Sequence, residues 1–344
     1  MRLLRVPPWA WIGGGLIALL AFPIVQRGQY YQHLMVMTMM AAVLASSWNI
    51  LGGYTGYTSL GHAAFFGLGG YLVALAHNQF GWHPFISTWF LGLVVMGVAL
   101  ILGWIALRTH GSAFVVVTIA MVFIFRIVAL NLGEITNGAR GLTQPRPGWG
   151  GVQWSPEIMK IPFHYIMLAL LCLTVLVSWR IRLSKFGLGL VAIREDEGKA
   201  EAVGIDALVY KVLAFGISAY FVAVAGGIYS YFFTYIDPQF IFNIFTSVTM
   251  VLIAILGGRG TLWGPVLGAF IMEPLGDWLV GTFGGTQIHL AVFGAILLGV
   301  MLFMPQGILP SLSDWLKRLT RSRGAGRLGP EPGAGQDASS AAKT

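Results

Sequence analysis

Charged residues are scarce in this sequence. Asp, Glu, Lys and Arg together make up 10% of its 344 residues, whereas an ordinary soluble domain has about 25%. This scarcity excludes a water-soluble globular protein. Disorder along the whole chain is excluded as well, because disordered chains combine low hydrophobicity with high net charge and 56% of this chain is hydrophobic. The composition therefore indicates an integral membrane protein.

Cysteine is almost absent, and so are the motifs that bind metals or nucleotides. Cys172 is the single cysteine, so no internal disulfide and no cysteine-based metal site is expected. The sequence has no H-E-x-x-H motif, no Cys/His cluster and no G-x-x-x-x-G-K-[ST] phosphate loop. We therefore expect no metal and no cofactor. The net charge of +8 is explained by basic loops on the cytoplasmic side of a membrane, so nucleic acid is not an expected partner.

Long apolar runs are the main feature of the chain. A membrane-spanning helix needs about 20 apolar residues, and the pattern predicts an all-α polytopic bundle of about ten transmembrane helices in a lipid bilayer. The transmembrane domain is expected over residues 1–310, and the Gly/Ala/Pro/Ser-rich segment 318–344 is expected to be a disordered tail. The first span ends near residue 25, and the others lie at roughly 32–51, 58–76, 84–106, 113–131, 163–180, 209–233, 244–257, 262–280 and 288–304.

The distribution of Lys and Arg sets the expected orientation. If the N-terminus is inside, sixteen of the 21 basic residues fall in cytoplasmic segments. Four fall outside, namely Arg27, Arg140, Arg146 and Lys160. Because basic residues are enriched on the cytoplasmic side, both termini and the tail are predicted to be cytoplasmic.

Two connections are longer than links between helices usually need. The outer loop at about 132–162 is rich in Gly, Pro and Trp. The inner loop at about 181–208 contains VAIREDEGKAEAVG, which predicts one short amphipathic helix with Gly204 as its C-terminal cap. Small apolar residues lie among charges of both signs, which indicates a surface that another protein grips. An ordinary solvated loop is the alternative.

Few ionisable groups lie within the predicted spans. Arg126, Glu273 and Asp277 are the main ones, and we predict that Arg126 forms a structural ion pair with one of the acids across the bundle. A substrate or proton site is the alternative. His62 follows Ser59 in TSLGH, but no nearby carboxylate would orient its imidazole. A packing histidine is therefore expected, and no catalytic residue is assigned.

Two glycine-rich segments share an LGG opening, one at 51–61 and the other at 256–265. Gly-interrupted segments at corresponding places in two halves of a transporter point to its transport site. The segments therefore predict a translocation path, with a cytoplasmic gate or close helix packing through small residues as the alternatives. The candidate path residues are Gly53, Thr58, Ser59, His62, Gly257 and Gly258.

Four motifs, in order, carry a resemblance to a known family. They are GGYTGYTSLGHAAFFGLGGY at 52–71, FGLGLVAIREDEGKAEAVGID at 186–206, ILGGRGTLWGPVLGA at 255–269 and MPQGIL at 304–309. Together they resemble branched-chain amino-acid ABC transporter permeases of the LivM type, in the LivH/LivM-like membrane subunit family. The resemblance covers roughly residues 30–310.

The resemblance implies a multi-pass permease of the bacterial cytoplasmic (inner) membrane that imports amino acids and is not itself an enzyme. Its implied partners are a second permease subunit, two cytoplasmic P-loop ATPase subunits that bind the ATP, and an extracytoplasmic substrate-binding protein. The ATPase-coupling role of the family's inner loop carries over to Arg194, Glu195, Asp196, Glu197, Ala200, Glu201 and Gly204.

Three positions depart from the family's usual pattern. Tyr57 stands where the family usually has Gln, Asn137 where it has Gly, and Phe123 where an acid precedes Arg126. Related permeases carry urea or short amides, so these substrates are an alternative to branched-chain amino acids. A secondary transporter or channel that works alone, and an intramembrane enzyme using Ser59 and His62, are the alternatives from other classes.

Overall fold

The computed structural model describes residues 8–26, 28–149, 152–155, 158–284, 294–295, 299 and 307–311. Most of the predicted span 288–304 and all of the predicted tail 318–344 lie outside the described residues. The helices are α1 Pro8–Val25, α2 Gln29–Thr55, α3 His62–Phe80, α4 Pro84–Ala106, α5 Ser112–Asn131, α6 Gly133–Thr136, α7 Lys160–Leu183, α8 Lys185–Glu195, α9 Glu197–Ala202, α10 Ala207–Phe233, α11 Pro238–Ile241, α12 Ile244–Gly257 and α13 Gly264–Phe283.

Seven segments among the described residues are long and apolar enough to cross a bilayer. They are α2, α4, α5, α7, α10, α13 and the segment Pro238–Gly257, which contains both α11 and α12. Helix α1 contains a shorter apolar stretch, Gly13–Val25. Helix α3 has 19 residues and is not among the seven, although it packs against α4 and α10. The fold is thus that of an all-α polytopic membrane protein, while the predicted number of ten spans is not reached by this measure.

Helix α10 lies at the centre of the bundle and packs against α2, α3 and α4. Small residues on α10 allow the helix backbones to touch. A Cβ atom added to Gly226 would lie 2.0 Å from the carbonyl oxygen of Phe66 on α3, which no side chain tolerates. This close packing through small residues is the usual way in which helices associate in a bilayer.

Successive connections lie at alternate ends of the bundle. At one end, which we call the 184–206 end, Tyr57 and His110 both contact Glu197. At the opposite end, the side chain of Asn78 donates a hydrogen bond to the carbonyl of Thr143. Strand β1 (Leu142–Thr143) pairs there with β4 (Tyr235–Ile236), and β2 (Gly148–Trp149) pairs with β3 (Val152–Gln153). The alternation agrees with the predicted order of inner and outer loops; which end faces the cytoplasm stays a prediction.

The inner loop folds into two helices, α8 and α9, and the prediction of one helix is wrong. Asp196 lies between them in an extended conformation, with φ −164° and ψ 110°. Its carboxylate accepts a hydrogen bond from the backbone N–H of Lys199 at 3.1 Å and so caps α9. The predicted cap at Gly204 is confirmed: its φ is +89°, and the N–H groups of Gly204 and Ile205 donate to the carbonyls of Glu201 and Ala200.

Candidate functional site

The two glycine-rich segments meet at the 184–206 end. In each, a helix stops, about six residues form a loop, and a new helix starts: α2 and α3 flank 56–61, and α12 and α13 flank 258–263. The guanidinium of Arg259 donates hydrogen bonds to the carbonyl of Gly52 at 2.9 and 2.7 Å and to that of Gly56 at 2.7 Å. One arginine of the loop 258–263 therefore holds both the last turn of α2 and the start of the loop 56–61.

Asn49 and two glycines complete this junction. The Asn49 amide donates to the carbonyl of Thr261 at 2.9 Å and accepts from the N–H of Gly260 at 2.8 Å. A Cβ atom on Gly53 would lie 1.9 Å from the Asn49 Oδ1, and a Cβ atom on Gly257 would lie 1.7 Å from the carbonyl oxygen of Gly264. Close packing therefore accounts for both glycines. A substitution as large as leucine at either position would disrupt the fold before it could report on transport.

The inner loop reaches the same junction through Arg194, the last basic residue of α8. Its guanidinium donates to the carbonyl of Gly53 at 3.2 Å. Its side chain also lies against Gly56, since a Cβ atom there would be 3.0 Å from the Arg194 Cγ. Three segments that the sequence suggests separately (51–61, about 181–208 and 256–265) are thus in direct contact. The sequence does not predict this contact, because it depends on the packing of α2, α8 and α12.

Glu197, the first residue of α9, also points toward the bundle. Its carboxylate accepts hydrogen bonds from Lys211 Nζ at 2.5 Å and from the Tyr57 hydroxyl at 2.5 Å, and it lies 3.5 Å from the His110 Nε2. Burial acts to raise the Glu197 pKa, but the bonds from Lys211 and Tyr57 outweigh it and hold the pKa below its usual value. Burial and the neighbouring carboxylate raise the Tyr57 pKa, so its hydroxyl remains a donor.

The other charged residues of the inner loop face outward. The Glu195 and Lys199 side chains are 70% and 86% exposed. The Asp196 pKa is held down mainly by the N–H of Lys199. Val203 is 77% exposed and Leu188 is 67% exposed. Exposed Glu201 extends this surface, whereas Ala200 is buried in a small apolar cluster with Ile193 of α8 and Ala207 of α10. The inner loop therefore has two faces. One points toward the bundle, and the other points outward and consists of apolar side chains among charges of both signs.

Two candidate path residues, Ser59 and His62, are fully buried within the chain. The Nε2 atom of His62 is 2.6 Å from the hydroxyl of Ser218, which donates to the carbonyl of Ser47 at 2.6 Å. The hydroxyl of Ser59 accepts from the N–H of Gly61 at 3.2 Å. Both side chains thus bond to neighbours in the core, as expected of packing residues.

Thr58 is half-buried, and Gly258 forms a turn with φ +128°. A role of either residue in the path stays a prediction, as it does for Ser59 and His62.

The predicted ion pair of Arg126 is not formed within the part of the chain that the structure describes. Asp277 instead accepts a hydrogen bond from the hydroxyl of Tyr30 on α2. Arg126 is half-buried on α5, a helix that contacts α3, α4 and α11. Glu273 and Asp277 lie on α13, which packs against α2 and α12. The charges are therefore on helices that do not pack extensively against each other, and a sequence alone does not show which helices are neighbours.

The described residues contain no candidate metal site. No three His, Cys, Asp or Glu side chains there come together in a way that could hold a metal ion. At the junction, two guanidinium groups donate to backbone carbonyls of the first glycine-rich segment, and the Asn49 amide bonds to the backbone of the second. This chemistry suits a mechanical contact between segments.

Comparisons with known proteins agree with this architecture. Residues 30–301 match the family described as the branched-chain amino acid transport system / permease component. The high-affinity branched-chain amino acid transport system permease protein LivM of Salmonella typhimurium is 28% identical, over 88% of this chain and 75% of the relative. LivM of Escherichia coli matches with the same identity and coverage. LivH of Escherichia coli is 25% identical over 78% of this chain and 90% of the relative. No solved structure matches the chain significantly.

The family match covers well over half of the chain, and it includes all three segments of the junction. Members of this family are transport permease subunits and not enzymes. The apolar helices described above are those of a multi-pass membrane transporter. The chain therefore belongs to the family of branched-chain amino acid transport permeases, of the LivM type.

Proposed function

We propose that the chain is the membrane-spanning subunit of an ABC importer in the bacterial inner membrane. It forms half of the translocation path for branched-chain or related amino acids, next to a second permease subunit. Two cytoplasmic P-loop ATPase subunits drive it, and a soluble binding protein delivers substrate at the opposite end. Ten spans and cytoplasmic termini belong to the same proposal. One observation carries it: the inner loop is hydrogen-bonded to the first glycine-rich segment, which is in turn hydrogen-bonded to the second.

The two faces of the inner loop support a role in coupling. The outward face, with Glu195, Lys199 and Val203, offers apolar and charged groups to an ATPase subunit. The inward face, with Arg194 and Glu197, is bonded to the bundle. A movement of the ATPase would therefore pass through α8 and α9 to the junction, and the glycine-rich segments would rearrange around the path.

Branched-chain amino acids are the substrates named for the relatives, which favours them here. Urea and short amides are the alternative, because the residues at positions 57, 123 and 137 differ from those that the family usually has there. Uptake of labelled leucine, urea and acetamide by cells that carry the whole transporter distinguishes these substrates. Leucine uptake alone is the expected result, and uptake of urea or acetamide alone would reassign the substrate.

The class of the protein is tested by purifying the chain from native membranes in mild detergent. We expect a P-loop ATPase and a second permease subunit to copurify in stoichiometric amounts. Reversing charge on the outward face, as in Glu195→Lys with Glu201→Lys, should remove the ATPase while the chain still inserts, because like charges at an interface cost affinity. A chain that purifies alone and transports without ATPases would be a secondary transporter or a channel.

A further inference from the structure

Lys211 is a buried cation at the point where α9, α10 and the loop 56–61 come together. We propose that Glu197, Lys211 and Tyr57 form a joint, called here the 197–211 joint, which positions α9 on the bundle. Through this joint a displacement of α9 is passed to α10 and to the first glycine-rich segment. The proposal rests on the proposed coupling role of the inner loop and names the residues that carry the motion.

The three side chains form a closed set of hydrogen bonds. Lys211 Nζ donates to Glu197 Oε1 at 2.5 Å and to the Tyr57 hydroxyl at 3.1 Å, while that hydroxyl donates to Glu197 Oε2 at 2.5 Å. The Lys211 side chain is only 2% exposed. A buried ammonium group is strongly destabilising without its counter-ion, so α9 cannot leave this position without exposing or stranding the charge.

Each member of the joint belongs to a different part of the protein. Lys211 is the fifth residue of α10, the central helix of the bundle. Tyr57 precedes α3, and its ring packs edge-on against Phe114 of α5 at 5.5 Å. Glu197 begins α9, which has only six residues and buries only Ala200. The apolar contact of α9 is limited to Ala200, which packs with Ile193 and Ala207, and the joint adds a hydrogen-bonded attachment of α9 to α10 and to the loop 56–61.

Arg194 does not duplicate this attachment. It lies on α8, before the break at Asp196, and bonds to the backbone carbonyl of Gly53. Its side chain is 38% exposed, in contrast to Lys211. Because the break separates α8 from α9, a pull on the outward face of α9 reaches the bundle first through Glu197.

The test uses the complete transporter in proteoliposomes, with ATP hydrolysis and amino-acid uptake measured on the same preparation. We expect Glu197→Gln to assemble and to hydrolyse ATP, while the amount transported per ATP falls about tenfold, within the usual range of coupling energies. The double variant Glu197→Lys with Lys211→Glu should recover much of the loss, because the pair is restored in reverse. Glu134→Gln, an exposed carboxylate at the opposite end, is the matched control and should leave the ratio unchanged.

A purely structural role would lower thermal stability and leave the transport-to-hydrolysis ratio of the folded fraction intact, and that result would overturn the joint. If Glu197→Gln does not assemble, Tyr57→Phe carries the test: it removes one hydroxyl, keeps the ring, and should lower the ratio less but in the same direction. An unchanged ratio in Tyr57→Phe would then overturn the proposal. If the wild-type complex shows no ATP-driven uptake, the proposed function and the joint fail together. Normal wild-type uptake with an unaffected Glu197→Gln ratio would overturn the joint alone.

Discussion

Replacing Gly53 by alanine should destabilise the protein, although the change adds one methyl group. The new Cβ would lie 1.9 Å from the Asn49 Oδ1 and 2.8 Å from the backbone nitrogen of Gly260. The Asn49 amide must therefore move and lose its bonds to Gly260 and Thr261. Two hydrogen bonds contribute about 2 kcal/mol together, and overpacking costs a further 1–3 kcal/mol or so. Alanine in a helix gains up to about 1 kcal/mol over glycine, and Gly53 lies in α2, so we expect a net loss of roughly 2–4 kcal/mol in the free energy of unfolding.

The assay is thermal unfolding of the purified chain in detergent, with Gly97→Ala as the control. A Cβ atom on Gly97 meets nothing within 4 Å, and alanine in a helix gains up to about 1 kcal/mol over glycine. Gly97→Ala should therefore unfold at the wild-type temperature or above.

A double-mutant cycle identifies the contact itself. Asn49→Ala removes the two hydrogen bonds but also makes room for the new methyl group. The double variant Gly53→Ala with Asn49→Ala should thus be less destabilised than the sum of the single variants. Additive effects, or a Gly53→Ala variant as stable as Gly97→Ala, would refute the packing described for this junction.

Two further predictions concern orientation and pH. In a Cys172→Ser background, Ser155→Cys should react with a membrane-impermeant maleimide on intact cells and Glu201→Cys should not; the reverse pattern would invert the assigned topology. Because the Glu197 pKa lies below its usual 4.5, the stability that this carboxylate adds is present above pH 4.5 and is lost as the pH falls through the folded-state pKa. The difference in unfolding temperature between wild type and Glu197→Gln should therefore shrink as the pH falls below 4.5, whereas a constant difference would contradict the bonding of Glu197.

Much of the fold could be predicted from the apolar pattern, since each span is a run of residues that water cannot solvate. The predicted segments 84–106 and 244–257 coincide with α4 and α12. The prediction of a third span at 58–76 is displaced from the observed helix, which is His62–Phe80 and is not among the seven candidate spans. Residues 58–61 are apolar or small, so hydropathy includes them in a span, but in the structure they belong to the loop 56–61 between α2 and α3.

The break between α8 and α9 can be recognised in the sequence from a capping residue, although the hydrophobic pattern does not show it. Asp196 is followed by a glycine and a lysine two and three residues later, and an aspartate before a short helix often acts as its N-terminal cap. Amphipathic spacing favours one helix across this position, whereas the cap favours two. In the structure the cap prevails, because the carboxylate satisfies a free N–H at the start of α9.

The contacts of the site could not be predicted from the sequence. Lys211 counts as one more basic residue of a cytoplasmic loop when the sequence is considered alone, yet it is buried against Glu197 and Tyr57. These residues are 14 and 154 positions away from it. Such pairings follow from the arrangement of α9, α10 and α3 in space, about which hydropathy and spacing carry no information.

The most direct test of the central claim is substrate uptake by proteoliposomes that contain this chain with its second permease subunit and the two ATPase subunits. With binding protein and leucine outside and ATP inside, we predict leucine accumulation that stops when ATP, the ATPase subunits or this chain is omitted. Leucine entry that continues at the same rate without ATP and without the ATPase subunits would contradict the account.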